Sequence, residues 1–188
     1  MKIEAVKVGQ QIWMLNNLNV STFRNGDVIL EATDGDEWDN AANKRIAAYC
    51  YYDFNSGMGE TYGKLYNWYA VNDARGLAPD GWHIPEHSEW KQLSDFLGNE
   101  AGLKLRSNSN WSDSDNEDEE VGFNAVPAGC CSDSGDCYDI GEWACWWTST
   151  EHDTADAIAC NISIEFDEFG ENVCDSKAYG LSVRCVKD

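Results

Sequence analysis

The chain has 188 residues, of which 43% are hydrophobic and 12% aromatic, so it is long enough and apolar enough for one domain with a real core, and disorder is excluded. Its 34 acidic residues against 13 basic ones leave a net charge of -21. That field repels phosphate backbones, which excludes nucleic acid and anionic membranes as favoured partners, because binding them requires Lys and Arg to neutralise phosphates. In chain order, residues 3 to 20 read as strand-like, with Ile3, Val6, Val8, Ile12 and Trp13 among Gly and Gln breakers. Glu37 to Ala48 reads as a short helix carrying Trp38, Ala42 and Ile46 on one side. Tyr62 to Asp73 gives a clearer helical stripe, Leu65, Trp68, Tyr69 and Val71, closed by Gly76. A turn at Ala78-Pro79-Asp80-Gly81 leads to Trp82-His83-Ile84-Pro85. The strongest helix runs from Glu86 to Leu97, with Trp90, Leu93, Phe96 and Leu97 on one face and Gly98 as its stop.

After Gly98 the character changes to Gly, Ser, Asn and Asp every few residues, with short apolar runs that read as strands. These are Val121-Gly122-Phe123, Trp146-Trp147, Ala157-Ile158-Ala159, Ile162 to Phe166 and Leu181 to Val186. Residues 106 to 120 and 129 to 145 read as long surface loops. Two helices followed by many short strands indicate an α+β fold, in a single domain over residues 1–188 with no repeat and no long linker. The expected core comprises Trp13, Leu65, Trp68, Trp82, Trp90, Leu93, Phe96, Phe123, Trp147 and Val183.

No apolar run approaches a membrane span; the longest, Ile46 to Tyr52, is far too short. The start, Met1-Lys2-Ile3-Glu4, lacks the apolar core of a signal peptide. The cysteines weigh in the other direction. All eight are Cys50, Cys130, Cys131, Cys137, Cys145, Cys160, Cys174 and Cys185, an even number that permits 105 pairings. None forms the C-x2-C pair of a zinc site. An oxidising compartment is the better reading, so the protein is expected outside the cell or on its surface, with a leader replaced by Met1. Eight free thiols in a cytosolic protein is the alternative.

Three patterns invite chemistry. His83-Ile84-Pro85-Glu86-His87 spells H-x-x-E-H, but Pro85 tolerates only the first turn of a helix and pushes Ile84 to extended geometry. His83 is therefore expected outside the helix, and the segment reads as a turn entering it. Ser149, His152 and Asp153 crowd along one strand-like stretch, which argues against the convergent geometry of a triad. The acidic run that contains Asp113, Asp115 and Glu117 offers hard oxygen ligands to Ca²⁺. It has Asp118 where an EF-hand needs Gly and Asn124 where it needs Glu, so a solvated charged loop is the favoured reading.

The blocks Tyr62-Gly63-Lys64-Leu65-Tyr66-Asn67-Trp68-Tyr69-Ala70, Gly81-Trp82-His83-Ile84-Pro85 and Glu89-Trp90 resemble one family closely, the Fibrobacter succinogenes major paralogous domain. The resemblance begins at Gln11-Ile12-Trp13-Met14 and Phe23-Arg24-Asn25-Gly26-Asp27. It continues through Tyr49-Cys50-Tyr51-Tyr52, Gly122-Phe123-Asn124-Ala125 and Trp147-Thr148-Ser149-Thr150-Glu151 to Gly180-Leu181-Ser182-Val183-Arg184-Cys185, in the family's order from end to end. It implies a C-type-lectin-like fold, related to formylglycine-generating enzymes, in which two helices pack on a small twisted, mostly antiparallel sheet beside a loop-rich half. It supplies no defined activity, since members are mostly uncharacterised secreted or surface modules. The sugar-selecting E-P-N or Q-P-D triplet of C-type lectins is missing, while kinship to them raises the Ca²⁺ alternative. The resemblance also implies a bond between Cys50 and Cys185, both in family-like blocks. The other six cysteines are then expected to pair within the loop-rich half. Formylglycine-generating enzymes use a reactive cysteine pair late in the chain, and Cys174 with Cys185 is the matching pair here, more readily read as structural.

Recognition is expected from loops held on this scaffold. The segment from Ser132 to Asp153 combines Asp136, Tyr138, Asp139, Glu142, Trp143, His152 and Asp153, aromatic faces with carboxylates that suit sugars; the competing reading is that Tyr138 and Trp143 only cover the core. The expected function is a non-catalytic extracellular recognition or adhesion module for a glycan or a surface protein. A self-associating subunit of a surface layer or filament and a formylglycine-generating-type enzyme are the alternatives.

Overall fold

The computed structural model describes residues 3–112 and 121–188. Its first half contains β1 (Ala5–Val8), β2 (Gln11–Met14), β3 (Leu30–Glu31), α1 (Gly35–Asn43), β4 (Ala48–Cys50), α2 (Gly59–Tyr62), β5 (Leu65–Tyr66), α3 (Trp68–Val71) and β6 (Trp82–His83). The second half contains α4 (His87–Leu97), α5 (Ala101–Leu105), β7 (Ala128–Cys131), β8 (Cys137–Ile140), β9 (Trp143–Glu151), β10 (Asp156–Ser163), β11 (Gly170–Ser176) and β12 (Val186–Lys187). The architecture is α+β.

The alternation of residues 5 to 14 closes β1 and β2 into an antiparallel hairpin with Val6 opposite Trp13. β12 then pairs with β2 through Val186 and Trp13, and β6 joins the far side of β12, giving the order β1-β2-β12-β6. A second sheet has the order β11-β10-β9-β7-β8, antiparallel except for β7 beside β9, where Gly129 faces Ala144 in parallel. The third, β3-β4-β5, is mixed.

Helix α4 forms where its pattern places it. Glu86 caps it in a reciprocal capping box with Glu89, Trp90, Leu93 and Leu97 face inward, and Gly98 at φ +69° stops it. Phe96 departs from the expected core at 62% exposure, whereas the other nine expected residues are all buried. It lies on the flank of the stripe, and its ring covers Gly9 in the β1–β2 turn, 3.0 Å from where a Cβ would stand.

Several further expectations need correction. Helix α1 ends at Asn43 because Arg45 takes a left-handed φ of +54°; its buried face is Trp38 and Ala41, and Ile46 is left 40% exposed. The single helix expected over Tyr62 to Asp73 is three elements, α2, β5 and α3. Gly63 at φ +79° breaks the first, and the Asn67 side chain accepts from the N–H groups of Ala48 and Ala70, turning the chain from strand into helix. A short apolar run does not by itself tell buried strand from helix. Residues 129 to 145, expected as a surface loop, build β7 and β8 with Cys130 and Cys131 buried. Conversely, Val121-Gly122-Phe123 is no strand, since Gly122 and Asn124 both have positive φ, although Phe123 is fully buried. Ile164 to Phe166 lie beyond β10, and within Leu181 to Val186 only Val186 belongs to a strand, while Leu181 and Ser182 make isolated bridges to Tyr66 and Trp146.

β9 is the wall between two cores. Period-two alternation sends Trp146 to one side, among Trp13, Trp90, Phe123 and Phe169, and Trp147 to the other, among Tyr66, Trp82, Leu181 and Val183. Arg184 lies between the β12 segment and these rings with no exposure. Its guanidinium donates to Asn17 Oδ1 at 3.0 Å and to the carbonyls of Phe123 and Asn124 at 2.6 and 3.3 Å, with the Phe123 ring 4.5 Å away. Burial lowers its pKa to about 9, so it stays charged at neutral pH, held by carbonyl dipoles in place of a carboxylate.

A disulfide joins Cys131 to Cys137 across β7 and β8, within the loop-rich half, but the expectation that all six cysteines there pair is not met, since Cys130 and Cys145 are unbonded. The expected Cys50–Cys185 bond is not formed: both thiols are unbonded and buried. The reason is packing, since Cys50 belongs to the cluster of Trp38, Leu65 and Cys131, and Cys185 to that of Trp82, Leu181 and Val183.

Candidate functional site

Two surfaces compete for a ligand. The first is an open depression of about 580 Å³ bordered by Arg24, His83, Glu86, Glu89 and Ser149. His83 at the end of β6 sits between two carboxylates, Nδ1 2.8 Å from Asp188 and Nε2 2.9 Å from Glu89. Carboxylates only accept, so both ring nitrogens donate and the imidazole is held as its cation. Burial pulls the His83 pKa down, but the hydrogen bonds and charges of Glu89 and Asp188 outweigh it, and the net shift is upward. The charged groups here are already spent. Arg24 donates to the carbonyls of Ala78, Pro79 and Trp82 and pairs with Asp80, and Glu89 also accepts from the Glu86 N–H. The H-x-x-E-H pattern thus divides as its proline dictates, with His83 in a strand and His87 opening α4.

The second surface is the end of the five-stranded sheet where β8 turns into β9. Tyr138 stands opposite Cys130 in the β7–β8 ladder, and the parallel register of β7 with β9 puts Cys130 beside Cys145. Trp143 precedes Cys145 by two residues, so Tyr138 and Trp143 project from one face. Tyr138 is 38% exposed and Trp143 is half-buried. Asp139 adopts φ +65°, and the Glu142 N–H donates to its carbonyl at 3.1 Å, so that a tight turn presents both acidic side chains beside the rings. Among the described residues no hydrogen bond occupies the Trp143 indole N–H or the carboxylates of Asp139 and Glu142.

Of the residues named from sequence, Tyr138, Asp139, Glu142 and Trp143 therefore gather at this end. The other three lie elsewhere. Asp136 is in the β7–β8 turn, where its carboxylate accepts from Ser134 and its N–H reaches the Ser132 hydroxyl. His152 and Asp153 lie just past the opposite end of the nine-residue β9, whose last residue, Glu151, is about 26 Å from Trp143 at the usual rise per strand residue. Asp153 there accepts from the N–H groups of Asp156 and Ala155, which hold its carboxyl below the usual range. Asp113, Asp115 and Glu117 lie outside the described residues, as does the Cys174 side chain. Among the described residues no group of His, Cys, Asp and Glu is placed to hold a metal ion. The Cys185 thiol is fully buried, which pushes its pKa up to about 12.

Sequence reasoning missed the Cys130–Cys145 neighbourhood and the commitments of Arg24 and Arg184. One signal was available for the first: the turn-forming run Ser132-Asp133-Ser134-Gly135-Asp136 between two cysteine-bearing apolar stretches is a hairpin pattern.

No curated protein and no solved structure matches this chain. The profile of one family matches residues 6–187, and the chain accordingly belongs to the Fibrobacter succinogenes major domain family.

Proposed function

We propose that this protein is a non-catalytic recognition or adhesion module of the cell exterior, built on a C-type-lectin-like scaffold, that binds a carbohydrate at the β8–β9 end of its large sheet. The observation that carries this reading is the contrast between the two surfaces. The charged groups of the Arg24–His83 depression bond within the protein, whereas among the described residues the Trp143 indole and the Asp139 and Glu142 carboxylates have no hydrogen-bond partner and stand beside an exposed Tyr138 ring. An apolar ring face with adjacent acceptors suits a sugar, which offers C–H faces and hydroxyl donors, and the short turn limits the ordering cost of binding. The test is a glycan and cell-surface binding screen of the oxidised protein with and without Ca²⁺. Trp143→Ala is expected to abolish binding and to leave the melting temperature nearly unchanged, because the ring is only half-buried. Binding that survives this substitution, or none in either condition, defeats the reading.

A second reading, self-association in a surface layer or filament, has one observation in its favour. Val28, Leu30 and Ile46, 76%, 42% and 40% exposed, leave large apolar side chains in water on and just before β3 and β4, and exposed apolar surface is where copies of a chain can meet. Light scattering across a concentration series separates the two, a constant monomer mass counting against assembly.

A further inference from the structure

The face that carries Tyr138 and Trp143 also carries two thiols that the disulfide of the fold does not use. Cys130 on β7 and Cys145 on β9 are next to each other in a parallel register fixed by Gly129 and Ala144. Both pack into the same core cluster, Cys130 at 6% exposure and Cys145 at its partly exposed margin. Neighbouring strands run about 4.8 Å apart, inside the Cα separation of about 4.4–6.8 Å that a disulfide spans. The backbone on both sides is pinned: the Cys145 carbonyl accepts from Ser182, and Cys131 exchanges two hydrogen bonds with Gly180.

We propose that Cys130 and Cys145 are a redox-active dithiol, which closes to a second cross-strand disulfide by exchange with a low-molecular-weight disulfide.

The surroundings assign the order of attack. The Cys145 thiol hydrogen-bonds to Cys130, burial opposes the effect, and the Tyr138 hydroxyl adds a second donor; together they hold Cys130 below the ordinary thiol range. Cys145 moves the opposite way, raised by its bond to Cys130 and by burial. The Cys130 thiolate therefore attacks one sulfur of the external disulfide, forming a mixed disulfide and expelling one thiolate. Cys145 then gives up its proton and attacks the Cys130 sulfur, breaking the mixed bond and expelling the second thiolate. The two protein thiols lose two electrons and two protons, and the external disulfide gains both as two thiols. Access is from the β8 edge of the sheet, where Tyr138 is the covering side chain.

The test uses the full chain, reduced, freed of reductant, and exposed to oxidised glutathione before acid quenching and alkylation. Cleavage after glutamate separates peptide 121–142, which holds Cys130, from peptide 143–151, which holds Cys145. The two are expected to be found linked, with the link lost in Cys130→Ser and Cys145→Ser and kept in Cys160→Ser. Fragmentation of the wild-type linked peptide between Cys130 and Cys131 assigns the sulfur without any variant, so a substitution that fails to fold does not blunt the result. Cys145 recovered fully alkylated, or linked to Cys131, Cys137 or Cys160, overturns the proposal.

Discussion

Trp90 is the residue whose removal should be felt most. It has no exposure, and its ring lies 4.5 Å from Trp13, 5.4 Å from Trp146 and 5.6 Å from Phe169, centroid to centroid. A buried aromatic covers about 150–250 Å², which at about 25 cal/mol per Å² corresponds to roughly 4–6 kcal/mol of transfer free energy. One feature works against it, for the indole N–H has no hydrogen-bond partner among the described residues. An unsatisfied buried donor costs about 1–3 kcal/mol, and truncation relieves that cost. Trp90→Ala should therefore destabilise by about 3–5 kcal/mol, the usual range for such a truncation. Trp90→Phe keeps one ring in the stack and discards the orphan N–H, so it should cost clearly less than Trp90→Ala, although the smaller ring leaves a cavity. Guanidinium unfolding followed by far-UV circular dichroism measures both without relying on tryptophan emission. Equal losses for the two variants would refute the assignment of the N–H as a liability. A loss under about 1 kcal/mol for Trp90→Ala would refute the central place of this cluster.

Gly129→Ala should destabilise by at least about 1–3 kcal/mol, because Gly129 has φ +63° and an added Cβ would stand 2.4 Å from the Tyr138 carbonyl oxygen; a thermal melt unchanged from wild type would count against the β7–β8 pairing. Stability should fall as pH rises above about 9, since burial raises the folded-state pKa of Cys185 from 9.0 and of Tyr49 from 10.0, both to about 12, and that of Cys50 upward as well. Groups raised in this way contribute stability that is fully present below their unfolded pKa and is lost as pH climbs through the folded one. Lys64, lowered by burial to about 8 from 10.5, and Arg184, lowered to about 9 from 12.5, work in the other direction, against the three raised groups and the further buried phenol of Tyr66, which is raised as well. Denaturant midpoints that rise between pH 9 and 11 would show that Lys64 and Arg184 outweigh the thiols and the phenols.

Helix α4 was legible in the sequence because its information is local. Cap, apolar stripe and stopping glycine all lie between Glu86 and Gly98 and agree with one another. The α+β class and most of the core were legible for the same reason, each following from short-range periodicity and from the bulk of Trp, Phe and Leu side chains. Phe96 shows the limit of that logic. Its place on the helix was correct, but whether it is covered depends on how close the Gly9 turn approaches, and no local pattern encodes that. Leu65 to Val71 shows another limit, because an apolar run as short as this satisfies strand and helix alike until β4 and Leu181 offer it hydrogen bonds. The thiols depended on tertiary structure almost entirely. A cysteine pairs with whichever sulfur the register brings within reach, and register is a relation between strands distant in sequence. Hence Cys131 found Cys137, Cys50 and Cys185 went to different clusters, and Cys130 came to lie beside Cys145. The candidate site divides along the same line: the residue types named between Ser132 and Asp153 came from the sequence, but only the length of β9 decided that Trp143 and His152 stand at opposite ends of a sheet.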